Sequence, residues 1–144
     1  MKLGAFWLLA MLCLSGPLWA QPRTGITTID FVKVKDNKQA EVLSFFQNYW
    51  RANREIALKA GYIESYQLLA MPPGEQGDFD ILLITGYPDS TAYALREERF
   101  GKIIKELSAG RPNTTGGANP REMFEIKSSQ KLRTVASPVS GSKP

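Results

Sequence analysis

Residues 79–87 read FDILLITGY, and the four positions Ile81, Leu82, Leu83 and Ile84 offer no polar side chain to either face of a strand. Such a strand has to be covered on both sides, because each apolar side chain left in water forgoes roughly 1.5–3 kcal/mol. The fold must therefore supply a central place in a sheet and a cover for each face. The chain carries one cover itself. On a helical wheel of about 100° per residue, residues 39–60 set Val42, Phe45, Phe46, Tyr49, Ala52, Ile56, Ala57 and Ala60 in one stripe, with Arg51, Arg54, Glu55 and Lys59 opposite. Gly61 follows as a C-terminal cap. A second helix is expected over residues 91–107, with Tyr93, Phe100, Ile103, Ile104 and Leu107 on its apolar side. Asp89 or Ser90 supplies its N-cap, and Glu98 and Lys102 form an outer i,i+4 pair.

Around these lie three further strands. Residues 29–35, IDFVKVK, alternate, with Asp30, Val32 and Val34 facing one way and Ile29, Phe31, Lys33 and Lys35 the other. Residues 62–71, YIESYQLLAM, carry Glu64, Ser65 and Gln67 and read as an edge strand before the turn PPGEQGD. After a Gly/Asn/Thr/Pro-rich loop over 109–120, residues 121–127 form a short fourth strand that 128–135 either continue or leave. The order β-α-β-β-α-β predicts an α+β, ferredoxin-like sandwich with strands 1 and 3 central. Right-handed crossovers put both helices on one sheet face. The other face then needs a partner, and a second copy of the chain, closing two sheets into a barrel, would cover it.

The stretches KAGYIESYQLL and FDILLITGYPDSTAYAL resemble the dimeric α/β-barrel superfamily, which includes stress-responsive barrel proteins and antibiotic-biosynthesis-type monooxygenases. The resemblance covers residues 28–128. It implies a homodimer and leaves room for a cofactor-free oxygenase or cyclase acting on an aromatic or polyketide-like substrate. Haem-using members and plant polyketide cyclases of this fold rely on a His, and this chain has none.

That absence also removes any Ser-His-Asp triad, imidazole shuttle or His-ligated metal. The one Cys, Cys13, lies in residues 1–20, which have the order of a secretory leader: Lys2, an apolar run over 4–14, a Ser-Gly-Pro break and a small residue, Ala20, before Gln21. Eleven residues at ~1.5 Å each cannot cross a hydrocarbon core about 30 Å thick. The expectation is export to the periplasm or medium, no membrane attachment after cleavage, a flexible lead-in over 21–27, one domain over 28–135 and a disordered tail over 136–144. Losing Lys2 leaves 17 basic against 14 acidic residues, a net +3, too weak to argue for nucleic acid. No cofactor or metal is expected; Glu75, Asp78 and Asp80 lack the spacing of a calcium loop.

Six residues are candidates for a ligand pocket. Asn53 falls at the centre of the first helix's apolar stripe, where its amide either meets a ligand or bonds to backbone. Tyr62, Glu64 and Tyr66 share a strand face at i, i+2, i+4, either as a polar-aromatic cleft with Glu64 as base or as a solvated edge. Arg96 either binds an anion or snorkels, and Tyr49 either lines the pocket or packs with Phe45, Phe46 and Trp50. Three functions remain open: a small-ligand-binding or non-catalytic dimer, the cofactor-free enzyme, and a secreted interaction module using Leu58 or the 109–120 loop.

Overall fold

The computed structural model describes residues 25–75, 77–110 and 120–135. The expected leader, Cys13, the lead-in before residue 25, most of the 109–120 loop and the tail over 136–144 lie outside them. The elements are β1 (Ile26–Val34), α1 (Gln39–Phe45), a π-helical turn (Phe46–Trp50), α2 (Arg51–Lys59), β2 (Ser65–Ala70), β3 (Ile81–Tyr87), α3 (Ser90–Ala94), α4 (Arg96–Gly110), α5 (Pro120–Met123) and β4 (Phe124–Arg133). The four strands form one antiparallel sheet in the order β2-β3-β1-β4. This is the ferredoxin-like α+β architecture: β1 and β3 are central, and β2 is an edge, as its polar residues require.

The inward faces of β1 and β3 meet the helices in two apolar clusters. Val32, Ile81 and Leu83 pack with Val42, Phe46, Trp50 and Met123, while Ile26 and Tyr87 pack with Ala57, Ile63, Ala92 and Ile103. Asp36 and Asn37 take left-handed conformations (φ 54° and 55°) and turn the chain from β1 towards α1; both residue types tolerate that region. Gly61, at φ 70°, ends α2 as expected.

Several boundaries differ from the expectation. β1 starts at Ile26, not Ile29, because Ile26 is buried and pairs with both Tyr87 and Arg133. β2 starts at Ser65, not Tyr62: Ile63 plugs the core at the joint, and the Tyr62 N–H is still held by the carbonyl of Ala57. β3 starts at Ile81, since Asp80 spends its side chain on the Val34 N–H (2.7 Å) and the Lys33 ammonium (3.0 Å). The second helix breaks at Leu95 into α3 and α4. The fourth strand starts at Phe124, preceded by the turn α5, which seats Met123 in the core; it then runs through residue 133.

The first helix departs most. It is continuous over 39–59, but the π turn inserts one extra residue and rotates everything beyond it. The buried line becomes Val42, Phe46, Trp50, Asn53 and Ala57, whereas Ile56 is 37% exposed.

Asp89 caps α3, its carboxylate accepting the Ala92 N–H at 2.7 Å. Asp89→Ala should cost about 1 kcal/mol, read as a lower urea midpoint with an unchanged slope.

Candidate functional site

Strand β1 is apolar at both ends of its inward face and polar between them. Thr28 and Asp30 separate Ile26 from Val32. The neighbouring strands add polar groups at the same level: Thr85 and Lys131 lie opposite Thr28, and Ser129 lies opposite Asp30. The two apolar clusters close either end of the sandwich, and over this polar band a cleft of about 490 Å³ lies between helices and sheet. Its floor is Thr28, Asp30, Tyr87, Ser129, Gln130 and Lys131. One wall, from α1 to α2, presents Phe45, Tyr49, Trp50, Asn53 and Arg54; the other, α3 and α4, presents Tyr93, Arg96, Glu97, Phe100 and Ile104.

The walls are aromatic and the charges sit against rings. Phe45 stacks on Tyr49 at 5.5 Å between ring centroids. The guanidinium of Arg54 lies 4.0 Å from the Phe100 ring centre and 4.8 Å from that of Trp50. Tyr93 has Arg96 at 4.1 Å and Lys131 at 4.5 Å from its ring centre. Such cation–π contacts are worth about 0.5–2 kcal/mol each, more as water is excluded.

Hydrogen bonds fix the polar groups. The Ser129 hydroxyl donates to Asp30 at 2.6 Å. Arg54 donates through Nε to the buried Thr85 hydroxyl at 3.1 Å. Arg96 donates to the Tyr93 carbonyl at 3.0 Å and pairs with Glu97 at 3.2 Å. Asn53 is only 4% exposed; its amide donates to the Tyr49 carbonyl at 2.9 Å, while its Oδ1 is buried without a partner among the described residues.

Burial pushes the Tyr87 phenol above its ordinary value, against the pull of Arg54, a hydrogen bond with Thr28 and the charge of Arg96. Burial likewise lowers Arg54, offset by Tyr87 and Asp30.

Of the sequence candidates, Tyr49, Asn53 and Arg96 line the cleft. Tyr62, Glu64 and Tyr66 do not. Because β2 starts at Ser65, only Tyr66 lies on the strand, and the three do not form a shared strand face. The Tyr62 ring lies under Arg99, with the guanidinium 4.5 Å from its centre. Glu64 is exposed, its N–H bonded to the Gly86 carbonyl. Tyr66 sets its ring edge-on to Trp50 and reaches Glu55 at 3.4 Å, away from the cleft. Asp80, weighed as a cation ligand, serves the β1–β3 pairing, and no cluster of three or more metal-binding side chains exists among the described residues.

The sequence reading did not select Asp30, Tyr87 or Arg54. Asp30 had a signal, an inward carboxylate between Thr28 and Val32, and Tyr87 shares the inward phase of Ile81 and Leu83. Arg54 fell on the polar side of an ideal helix; the π turn brings it in.

No protein-family model matches the chain, and no curated protein matches it. Solved structures do. HapK from Hahella chejuensis is similar at 12% identity and a TM-score of 0.51, over 81% of this chain and 99% of that one. A NIPSNAP-like domain protein from Burkholderia xenovorans is similar at 15% identity and a TM-score of 0.50, over 85% and 93%. A putative antibiotic biosynthesis monooxygenase from Caulobacter crescentus matches at 20% identity and a TM-score of 0.43, over 79% and 92%. The first two establish a shared ferredoxin-like fold and nothing finer.

The Tyr87 proton is held more tightly in the folded protein than in the unfolded chain. Its contribution to stability is therefore full below the ordinary value of 10.0 and is lost as pH rises through the raised folded value. Tyr87→Phe should remove that share of the alkaline loss of stability. It should also delete, from a phenolate absorbance titration, a component ionising above the ordinary value.

Proposed function

We propose that this protein is an exported homodimer that binds a small, largely aromatic molecule in the helix–sheet cleft. The observation that carries the reading is Asn53. Its amide nitrogen is spent on the Tyr49 carbonyl, yet its Oδ1 is buried with no donor among the described residues, in the wall of an aromatic cleft. An unmet buried acceptor costs about 1–3 kcal/mol, and a ligand hydroxyl or N–H would recover it once the Asn53 side chain turns its oxygen into the cleft. The volume, about 490 Å³, falls in the range of small-molecule sites. The polar groups also suit binding: burial raises the Tyr87 phenol above its ordinary value, which favours it as a donor, and Ser129 holds the Asp30 carboxylate in place.

The dimer is supported by the sheet face away from the helices. β1 gives it Ile29 and Phe31, β3 gives Leu82 and Ile84, β2 gives Leu69, and β4 gives Leu132. Phe79 joins them edge-on to Phe31 at 5.3 Å. Leu69 and Leu132 are 46% and 45% exposed in the single chain. An apolar patch of this kind, here with Gln67 and Gln130 at its flanks, is covered in stable soluble proteins. The leader-like order of residues 1–20 supports export, and no helix among the described residues is long and apolar enough to cross a membrane.

Light scattering of the wild type should give twice the chain mass, and Ile84→Glu, a charge in the middle of the outer face, should give the monomer. Intact mass of the exported fraction should begin at Gln21. For the cleft, the probe is 2-naphthol, an aromatic ring with one O–H donor, titrated by calorimetry. Asn53→Leu should weaken its binding about tenfold, one hydrogen bond's worth, while the melting temperature stays within a few degrees. Unchanged 2-naphthol binding with a collapsed melt would make Asn53 a structural residue only.

A further inference from the structure

Arg54 is out of place in a cleft that holds only apolar molecules. Its guanidinium is largely buried between the Trp50 and Phe100 rings. It uses Nε on Thr85, and among the described residues it makes no other side-chain hydrogen bond and no ion pair. The two carboxylates that line the same cleft are engaged elsewhere, Asp30 by the Ser129 hydroxyl and Glu97 by Arg96. Asp30 acts on Arg54 through its charge and not through a hydrogen bond. A buried cation without a hydrogen-bonded counter-charge is costly to keep, and proteins that keep one commonly meet it with an anion. The edge of the guanidinium still available carries both Nη groups, the side that receives the two oxygens of a carboxylate in parallel. One residue earlier on the same helix, the buried Oδ1 of Asn53 asks for the opposite, a donor.

Granting that the cleft binds a small molecule, we infer that its ligand is an aromatic hydroxy- or amino-acid: a flat ring among Tyr49, Tyr93 and Phe100, a carboxylate on the Nη edge of Arg54, and an O–H or N–H given to Asn53 Oδ1 once that side chain turns towards the cleft. Lys131 and Arg96, on either side of Tyr93, add positive potential to the same space.

The test compares three probes on the full-length mature protein by calorimetry: 6-hydroxy-2-naphthoate, its neutral isostere 6-hydroxy-2-naphthamide, and 2-naphthol. The acid should bind at least tenfold tighter than the amide. Arg54→Met should abolish that preference without lowering the melting temperature, since it replaces a buried charge with an apolar chain of similar length. Arg54→Gln, uncharged but polar, should abolish it too, and serves if the methionine variant does not fold. Arg54→Lys should keep a reduced preference, having the charge without the fork. Equal binding of acid and amide by the wild type would overturn the anionic ligand and leave the cleft reading standing. A preference for the acid that survives in Arg54→Met or Arg54→Gln would overturn the assignment to Arg54. No binding of any of the three at concentrations of about 10 mM, well above the millimolar affinities of weak ligands, would overturn both readings.

Discussion

One extra residue in the first helix governs the site. An ideal helix over residues 39–59 would turn Tyr49 and Ile56 towards the core and leave Arg54 in solvent. The π turn at Phe46–Trp50 rotates the helix beyond it, so Trp50, Asn53 and Ala57 are buried and Arg54 lies against the rings of Trp50 and Phe100. A π turn gives up regular i→i+4 bonding, and such turns are common where a helix has to aim a side chain. Here it aims a polar amide and a cation at one space.

That space exists because of the side chains that face it from the sheet. An apolar rung in place of Thr28 and Asp30 would join the two clusters into a single core, and close packing would fill the gap. Polar side chains on three adjacent strands instead leave hydroxyls, a carboxylate and an ammonium that need either each other or a guest. Ser129 and Asp30 satisfy one another and Thr85 accepts from Arg54 Nε, but the Nη groups of Arg54 and the Asn53 oxygen have no such neighbour among the described residues. Helix wall and sheet floor thus create the same vacancy from opposite sides.

The parts of this that were legible in the sequence are those set by local chemistry. The two-sided apolarity of Ile81 to Ile84 required a central strand, the polar residues of the second strand marked an edge, and Gly61 and Asp89 placed helix ends that the structure keeps. Asn53 stood out because an amide in an apolar stripe breaks a pattern. Illegible were features decided by tertiary packing. A π turn has no composition of its own, so the inward swing of Arg54 followed from no motif. The grouping of Tyr62, Glu64 and Tyr66 failed because strand periodicity was extended through Ile63, which the core claims before the strand begins. Asp30 was read correctly as sharing a face with Val32, but its meaning depended on Ser129, whose place beside it is set by a strand boundary that sequence left open.

The pairing of Asp30 with Ser129 spans 99 positions, joining the first strand of the sheet to the last. Contacts so distant along the chain form late, since a long loop must close before they return any energy. A nascent chain can already pair β1, β2 and β3 and pack the helices beside them, but the far side of β1 waits for β4. The β4 side of the floor, with Ser129 and Lys131, is consequently the final piece to be built. A product truncated before residue 124 would keep both walls and the Thr28, Asp30 and Tyr87 side of the floor, but it would leave Asp30 without Ser129 and Tyr93 without Lys131.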